Sequence, residues 1–337
     1  MPIRIAVDAM GGDFAPVEVV AGALHAARQD AEAEITLVGD EAAVRAVLQS
    51  QGEVPPNIAV RHTSQRVEMG EHPVQATRRK RESSLVVSGL MVADGEADAT
   101  FTAGNTGAAM AVATLDIGRV AGVDRPALAT LIPTARGSAL LLDAGANVDC
   151  SPRNLLQFAL LGSLYAERVL GVPSPRVGLL NIGTEDGKGD ALTKEAFPLL
   201  RTAPINFQGN VEGKGVFEHT VDVIVCDGFA GNVLIKSGEG MMEMVLEAMQ
   251  GEIAADPGVV ETRDVFDQIF RRVAGRMHYS EFGGAALLGV NGASFVGHGR
   301  SNARAITSGI RAAVLAARRG YVQAIREALA GSGGSAA

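Results

Sequence analysis

Glycine-rich turns that follow short apolar runs carry most of the residues that could do chemistry in this sequence. Five such turns are Gly11-Gly12, 104–107, 145–147, 183–189 and 227–232. Unpaired N–H groups in such turns, and the dipole of a helix that starts there, bind anions without a metal ion. The same groups can stabilise the oxyanion of an acyl transfer. Because phosphate is itself a nucleophile, this chemistry requires no serine or cysteine nucleophile.

Structural roles also account for several of these residues. Gly11-Gly12 can form only a tight turn, with Asp8 capping the end of the preceding strand. Asn105 and Asn147 can each be a turn or cap residue. From the residues alone, a structural and a ligand-binding interpretation both stay open.

Four further residues have alternatives of the same kind. Lys188 can be a solvated loop lysine, and Asn232 can open the methionine-rich helix that follows it as its cap. His298 can be an acid–base group or a structural hydrogen-bonding histidine. Cys226 follows a run of valine and isoleucine, which favours a buried, inert thiol over a nucleophile.

The usual motifs of nucleotide-binding and hydrolytic enzymes are absent from the sequence. No G-x-G-x-x-G follows a strand-like run, and neither G-x-S-x-G nor H-E-x-x-H occurs. The turn at 183–189 resembles a phosphate loop, but it is one residue short and lacks the Ser or Thr that would hold magnesium. The six histidines show no ligand spacing, so we expect no metal site.

Composition limits the class of protein. The chain has 337 residues, 47% of them hydrophobic, which suffices for one large α/β domain or two closely joined ones. A net charge of −8, 4% aromatics and no tryptophan argue against nucleic acid as a partner. Two widely separated cysteines indicate a reducing cytoplasm. We see no signal peptide and no apolar run long enough to span a bilayer.

Short apolar runs alternate with helical patterns, which predicts a mainly parallel α/β sheet covered on both faces. A first helix should begin with Pro16 and run to about Arg28. The predicted strands are Ile3 to Val7, Ile35 to Val38, Ile58 to Arg61, Ala99 to Thr102, Ala127 to Ile132, Ala139 to Leu142, Val177 to Leu180, Ile205 to Phe207, Val221 to Val225, Ala285 to Val290 and Ser294 to Val296. Ligands bind outside the carboxyl ends of strands in such sheets, so we expect the glycine turns to form one pocket.

The segment 237–275 differs from the rest of the chain. Its apolar spacing and a break at Pro257-Gly258 predict two amphipathic helices in a hairpin. Its methionine-rich first half can be core, a dimer interface, or a surface that meets lipid or an acyl chain. The membrane-contact candidates are Met241, Met242, Val245 and Met249. A long helix should start near Ser301, and the tail 331–337 should be disordered.

We found no internal repeat and no clean linker, so residues 1–330 are expected to form a single unit. The strongest basic cluster in this acidic chain is Arg78, Arg79, Lys80 and Arg81. The cluster can be a solvated helix face or a docking site for an acidic partner.

Taken together, the motifs resemble one family, the bacterial phosphate acyltransferases of phospholipid synthesis. The similar stretches are Ile5 to Asp13 with Ala15-Pro16, Ala103 to Gly107, Asp143 to Asn147, Gly178 to Asp186 with Lys188-Gly189, Cys226 to Val233, and Tyr279 to Gly284. They recur in order from about residue 3 to residue 325.

The resemblance implies a three-layer α/β/α fold like that of isocitrate and isopropylmalate dehydrogenases, related to phosphotransacetylase, with a protruding helical hairpin. It implies a homodimer that uses no metal or organic cofactor. The reaction would join the acyl group of acyl-acyl carrier protein (acyl-ACP) to inorganic phosphate, and the acyl phosphate would feed glycerol-3-phosphate acylation. The enzyme would be cytoplasmic and would touch the membrane through the hairpin. Acidic residues outnumber basic ones in that segment, so contact should rest on apolar burial.

Carried over residue by residue, the resemblance makes Lys188 and Asn232 the expected catalytic residues. Lys188 would position the phosphate, and Asn232 would stabilise the oxyanion. The expected phosphate and thioester ligands are Asp8, Gly11, Gly12, Gly104, Asn105, Thr106, Gly107, Asn147, Thr184, Asp227, Gly231 and His298. The basic cluster at 78–81 would dock the carrier protein.

Three rival functions stay open at this stage. A dehydrogenase of the isocitrate type would need an adenosine pocket and paired aspartates for a divalent metal. A phosphotransacetylase-like enzyme would use coenzyme A in place of the carrier protein. A carrier-binding scaffold would bind the same partner without turnover.

Overall fold

The computed structural model describes residues 2–255 and 283–332. The strands are β1 (Ile3–Asp8), β2 (Ala33–Gly39), β3 (Ile58–His62), β4 (Ala99–Thr102), β5 (Ala127–Thr134), β6 (Gly137–Leu142), β7 (Arg176–Leu180), β8 (Asn206–Val211), β9 (Val223–Val225), β10 (Ala285–Leu288) and β11 (Ala293–Val296). The helices are α1 (Val17–Gln29), α2 (Glu41–Ser50), α3 (Pro73–Arg79), α4 (Ser84–Ala93), α5 (Thr106–Val112), α6 (Pro152–Arg168), α7 (Ala191–Thr202), α8 (Gly213–Phe217), α9 (Gly228–Ala255), α10 (Ala303–Arg318) and α11 (Tyr321–Ser332). A π-helical turn, Ala113–Ile117, continues α5.

All eleven described strands form one sheet, in the order β3-β2-β1-β4-β11-β10-β5-β6-β9-β7-β8. Alternate side chains enter opposite layers: Ile5 and Val7 pack towards α1 and α10, whereas Ala6 packs towards α4 and α9. The three-layer, mainly parallel fold predicted from the sequence is confirmed.

The sheet consists of two parallel halves that run in opposite directions. In the first half β3, β2, β1, β4 and β11 are parallel, and in the second β6, β9, β7 and β8 are parallel. Between them, β10 is antiparallel to both β11 and β5, and β5 is antiparallel to β6. The carboxyl ends of β1, β4 and β11 therefore lie at one edge of the sheet, and those of β6, β7 and β9 lie at the other.

The two halves use the same anchor although their sequences show no repeat. Arg4 at the start of β1 binds Asp98 before β4, and Arg176 at the start of β7 binds Asp222 before β9, at 2.8 and 2.9 Å. In each pair the arginine backbone N–H also donates to the same carboxylate. Burial alone would raise the pKa of both aspartates, but the arginine hydrogen bonds and charge outweigh it and lower each pKa.

Several predicted boundaries were wrong for local reasons. Pro16 is the N-cap of α1 rather than its first residue. The long C-terminal helix is two helices, because Gly320 adopts a φ of +64° between them. The strand predicted to reach Val290 ends at Leu288, where Gly289 has a φ of +92°. Residues 237–255 of the predicted hairpin belong to α9, while residues 256–275 lie outside the described residues. Residues 279–282 of the last family motif and residues 333–337 of the predicted tail also lie outside them.

Candidate active site

Three glycine-containing loops converge at the carboxyl ends of β1, β4 and β11. We call them the glycine cradle; they are residues 8–13, 102–107 and 297–302. At Gly11 a Cβ atom would lie 2.5 Å from Asp8 Oδ2 and 2.9 Å from the Gly104 nitrogen. Gly12, with a φ of +109°, lies against the Gly299 carbonyl oxygen. Such close approaches require glycine, so the loops of the cradle pack tightly against one another.

Asp8 lies beneath the cradle and holds its loops together. The Thr102 hydroxyl donates to Asp8 Oδ2 over 2.7 Å, and the Gly104 N–H donates to the Thr102 oxygen over 3.0 Å. Met10 N–H donates to Asp8 Oδ1 over 3.2 Å. The carboxyl is 2% exposed, and burial raises its pKa despite these bonds. Expected as a ligand, Asp8 is placed instead as a positioning residue.

The cradle continues into the first turn of α5. Asn105 is its N-cap: Oδ1 accepts from the Ala108 N–H at 3.0 Å, and Nδ2 donates to the Met69 carbonyl at 3.0 Å. The buried Asn105 side chain is thus occupied within the protein. Thr106 is exposed and Gly107 half-buried, and backbone N–H groups in a first helical turn have no acceptor within the helix. Such N–H groups can donate hydrogen bonds to an anion.

The third cradle loop packs against α9. Arg300 forms an ion pair with Glu243 of α9 at 3.3 Å, and the Asp13 N–H donates to the neighbouring Gly299 carbonyl at 2.8 Å. His298 is partly open to solvent. Loss of water around its ring lowers its pKa, and the cations of Lys236 and Arg300 lower it further. The imidazole is therefore neutral at neutral pH.

A second cluster lies at the opposite edge of the sheet, around Asp143. This fully buried carboxylate accepts N–H groups from Leu128, Ala146 and Asn147 at 2.9, 3.1 and 2.6 Å. The Asn147 amide donates to the same carboxylate at 2.9 Å and to the Pro126 carbonyl at 2.8 Å. Burial raises the pKa of Asp143 in spite of these bonds. Asn147 is thus committed to structure, and Asp143 is the organising residue that sequence reasoning left out of the site.

The same cluster fixes the start of α9. The Asp227 carboxylate caps the helix by accepting the N–H three residues on, at 2.8 Å. Gly231 packs directly on the Asp143 carbonyl, with no room for a Cβ atom. Asn232 therefore lies inside α9 and is not its cap, contrary to that alternative. Its side chain is exposed beside Gly145, and no hydrogen bond of its amide occurs within residues 2–255 and 283–332.

Lys188 and Thr184 lie on the loop after β7, at the same edge as the second cluster. The loop backbone is fixed: Lys188 N–H donates to Glu185 O at 3.1 Å, and Asn181 Nδ2 donates to Lys188 O at 3.0 Å. Both predicted side chains, Lys188 and Thr184, are exposed. Within residues 2–255 and 283–332 nothing bonds the Lys188 ammonium, so the loop offers this group on a fixed backbone.

The prediction of one pocket per chain is therefore corrected to two clusters. The cradle holds the residues predicted between positions 8 and 107 together with His298. Asn147, Asp227, Gly231, Asn232, Thr184 and Lys188 lie at the other edge. The physical reason is the reversal of strand direction between β11 and β6. Helix α9 connects the two, since it begins at Asp143 and passes the loop of Arg300.

The basic cluster at 78–81 is partly neutralised. Lys80 pairs with Glu71 at 2.6 Å, and Arg81 pairs with Asp116 at 2.8 Å. The two arginines at 78–79 are exposed, without a hydrogen bond or ion pair to any residue the structure describes. Helix α3, which carries them, adjoins the cradle, since Pro73 limits the space at Gly107.

The methionine-rich part of α9 is largely uncovered. Met241, Val245 and Met249 are exposed, whereas Met242 is half-buried, and Met244, which was not predicted, is exposed. Cys226 is a buried thiol whose pKa burial raises well above its usual value.

Comparisons with known proteins agree with this architecture. The model of a family described as "Fatty acid synthesis protein" matches residues 3–324. Phosphate acyltransferase of Desulfitobacterium hafniense is 47% identical over 328 residues, covering 97% of this chain and 98% of that protein. That of Desulforamulus reducens is 49% identical over 329 residues, covering 97% of each chain.

Solved structures show the same fold at low sequence identity. A phosphotransacetylase of Streptococcus pyogenes has a TM-score of 0.62 at 15% identity and covers 96% of this chain and 94% of its own. A 4-hydroxythreonine-4-phosphate dehydrogenase of Klebsiella pneumoniae has a TM-score of 0.54 at 14% identity, with 94% and 98% coverage. The expected likeness to phosphotransacetylases and to dehydrogenases of this fold is confirmed. On the match along nearly its whole length, the chain belongs to the phosphate acyltransferase family.

Proposed function

We propose that this enzyme transfers the acyl group of acyl-ACP to inorganic phosphate. The observation that carries the proposal is membership of the phosphate acyltransferase family along nearly the whole chain. A phosphate oxygen attacks the thioester carbonyl carbon, the carbon–sulfur bond breaks, and the proton of hydrogen phosphate ends on the carrier thiol. The products are an acyl phosphate and free ACP.

Phosphate binds at the glycine cradle. The cradle offers backbone donors at the start of α5, close glycine contacts and the neutral His298. The raised pKa of Asp8 makes this carboxyl easier to protonate, and a protonated carboxyl does not repel phosphate. A neutral His298 can accept the phosphate proton and pass it towards the leaving thiolate.

Asn232 and Lys188 supply the catalytic side chains. Asn232 donates from its exposed amide to the oxyanion that forms on the thioester carbonyl. Lys188 adds positive charge to the attacking phosphate. Because its loop lies at the far edge of its own sheet, Lys188 reaches the cradle of a second copy, and the active enzyme is a homodimer.

Apolar side chains around the Lys188 loop support a covered surface there. Ile182 on that loop is 81% exposed, Phe229 at the start of α9 is 65% exposed, and Val148 beside the Asp143 cluster is 62% exposed. Large apolar side chains exposed together at one edge are typical of an interface. A second copy covers them and brings the two clusters together.

The carrier protein docks on Arg78 and Arg79. These exposed guanidinium groups lie on α3, next to the cradle, and complement an acidic partner. Docking there places the carrier's thioester arm close to the bound phosphate.

The product connects the enzyme to the membrane. In the described part of the chain, no helix combines the length and the apolar character needed to cross a bilayer. The exposed apolar residues Met241, Val245 and Met249 provide peripheral contact between a cytoplasmic enzyme and the inner membrane surface. An acyl phosphate is reactive and lipophilic, so release at that surface favours direct use by a glycerol-3-phosphate acyltransferase.

The deciding experiment follows thiol release by the purified enzyme with acyl-ACP or acyl-coenzyme A, each with and without phosphate. The proposal expects release that requires phosphate and is faster with acyl-ACP. Preference for acyl-coenzyme A would indicate a phosphotransacetylase-like activity. Binding of acyl-ACP without thiol release would indicate a scaffold and contradict the proposal.

A further inference from the structure

One face of α9 carries a row of polar side chains that the site described above uses only in part. We call it the polar face of α9; its residues are Asn232, Lys236, Glu239 and Glu243. They are four, three and four residues apart, which places them on one side of a helix. This face is directed towards the third loop of the cradle, because Glu243 forms an ion pair with Arg300 of that loop.

Lys236 is the lysine on that face. It lies two turns before Glu243, so its side chain projects towards the same loop as that of Glu243. The loop contains His298 and is bonded through Gly299 to the backbone of Asp13 in the first cradle loop. Lys236 is therefore brought to the cradle by its own chain, whereas Lys188 lies at the opposite edge.

The other lysines do not reach the cradle as free cations. Lys80 is bonded to Glu71 and to the Arg66 carbonyl at 2.6 and 2.9 Å. Lys194 is on α7, and Lys214 is on α8 and pairs with Glu218 at 3.3 Å. Together with Lys188 and Lys236, these three make up the five lysines of the sequence.

Lys236 is available to a ligand. Its ammonium bonds Glu239 at 2.8 Å, but the side chain is 54% exposed, and an ion pair this exposed holds its partners weakly. Two N–H groups of the ammonium stay available beside Glu239. Its charge also reaches the His298 ring and helps to keep that imidazole neutral.

We propose that Lys236 binds the phosphate at the glycine cradle from the same chain, beside His298 and opposite the partner subunit's Lys188. Phosphate near neutral pH carries up to two negative charges, which one lysine would leave partly uncompensated. The assignment deepens the proposed function and rests on it. Glu239 holds the ammonium in place until phosphate displaces it.

The test compares Lys236→Ala with Lys214→Ala, which removes a helical lysine with a similar glutamate pair from α8. Loss of a charge-assisted contact predicts that the KM for phosphate rises about tenfold or more in Lys236→Ala. The KM for acyl-ACP should not change, and Lys236→Arg should restore part of the phosphate affinity. Lys214→Ala should match the wild type.

Calorimetric titration with inorganic phosphate separates this inference from the proposed function. The melting temperature verifies that Lys236→Ala is folded. Weaker phosphate binding by the folded variant supports the inference whether or not acyl transfer is observed. Equal phosphate affinity and equal KM in wild type and Lys236→Ala overturn it, even with an active enzyme. If Lys236→Ala does not fold, Lys236→Gln takes its place. Phosphate-independent thiol release by the wild type overturns the proposed function alone.

Discussion

At the residue scale, hydrogen bonding separates side chains that build the site from side chains that can act in it. Asp8, Asn105, Asn147 and Asp227 use their polar atoms within the protein, so their contribution is to fix loops. Asn232 and Lys188 keep their polar ends exposed on well-fixed backbone. Both kinds of residue look alike in the sequence, because Asn and Asp serve caps and catalysis equally well.

Asn232 gives the first prediction. Replacing it with Ala removes the donor to the developing oxyanion and should lower kcat by about 100- to 1000-fold. Since the side chain is exposed and makes no hydrogen bond to the part of the chain that the structure describes, the melting temperature should stay near that of the wild type. Steady-state kinetics with acyl-ACP measure the effect. Asn232→Asp keeps the shape but cannot donate, so it should be equally impaired; near-normal turnover of Asn232→Asp would rule out the donor role.

Asp8 gives a prediction on the pH dependence of stability. Its pKa is raised in the folded protein. The stability of the wild type relative to Asp8→Asn should therefore be greatest below the ordinary carboxyl pKa of about 4. This relative stability is lost as the pH rises through the raised pKa of the folded protein, because ionising the buried carboxyl costs free energy. Melting temperatures of both proteins from pH 4 to neutrality test this. Parallel curves would show that Asp8 does not titrate in this range.

At the element scale, α3 and α9 each extend from the site to an exposed surface. Helix α3 is short, begins with a proline and ends in two exposed arginines next to the start of α5. Helix α9 runs from the Asp143 cluster past the cradle and exposes apolar side chains beyond it. Each helix therefore has one end at the site and another surface available to a partner.

Charge reversal at Arg78 and Arg79 should weaken docking of the carrier protein. The double variant Arg78→Glu with Arg79→Glu is expected to raise the KM for acyl-ACP about tenfold at low salt, and the difference should shrink at high salt. Arg311→Glu on α10 is the matched control, since Arg311 is also an exposed helical arginine. Turnover of a small acyl thioester should not change. A KM for acyl-ACP that changes neither with the charge reversal nor with the salt concentration would argue against this docking surface.

Helix α9 also shows where sequence reasoning stopped short. Asp227, Gly228 and Gly231 looked like a glycine-rich loop, so the helix was expected to begin after them. The glycines are there because the Asn147 backbone and the Asp143 carbonyl come too close for a side chain. The helix starts at Gly228, and Asp227 is its cap. Close packing and turn geometry both select glycine, and only three-dimensional contacts distinguish them.

At the scale of the whole molecule, the sequence predicted the sheet but not its direction. Apolar runs located the strands to within a few residues, since burial on both faces leaves a strong signal. The relative direction of β5, β6 and β10 depends on long-range pairing, which no local pattern records. The expected single pocket consequently became two clusters.

A mixing experiment tests the shared site. Lys188→Ala and His298→Ala should each be nearly inactive, because the first lacks the far-edge lysine and the second lacks the cradle base. If Lys188 acts across the interface, half of the randomly mixed dimers contain one intact site, and activity returns to about one quarter of wild type. Unmixed variants and wild type, taken through the same dissociation and reassembly, are the controls. No recovery despite verified hybrid dimers would place both residues in the same subunit's site.

Phosphorus NMR of the purified enzyme with acyl-ACP and inorganic phosphate tests the central claim most directly. We predict a new acyl phosphate signal that grows as the phosphate signal falls, in step with the release of carrier thiol. Release of free fatty acid with an unchanged phosphate signal would contradict the account, because the acyl group would then have gone to water.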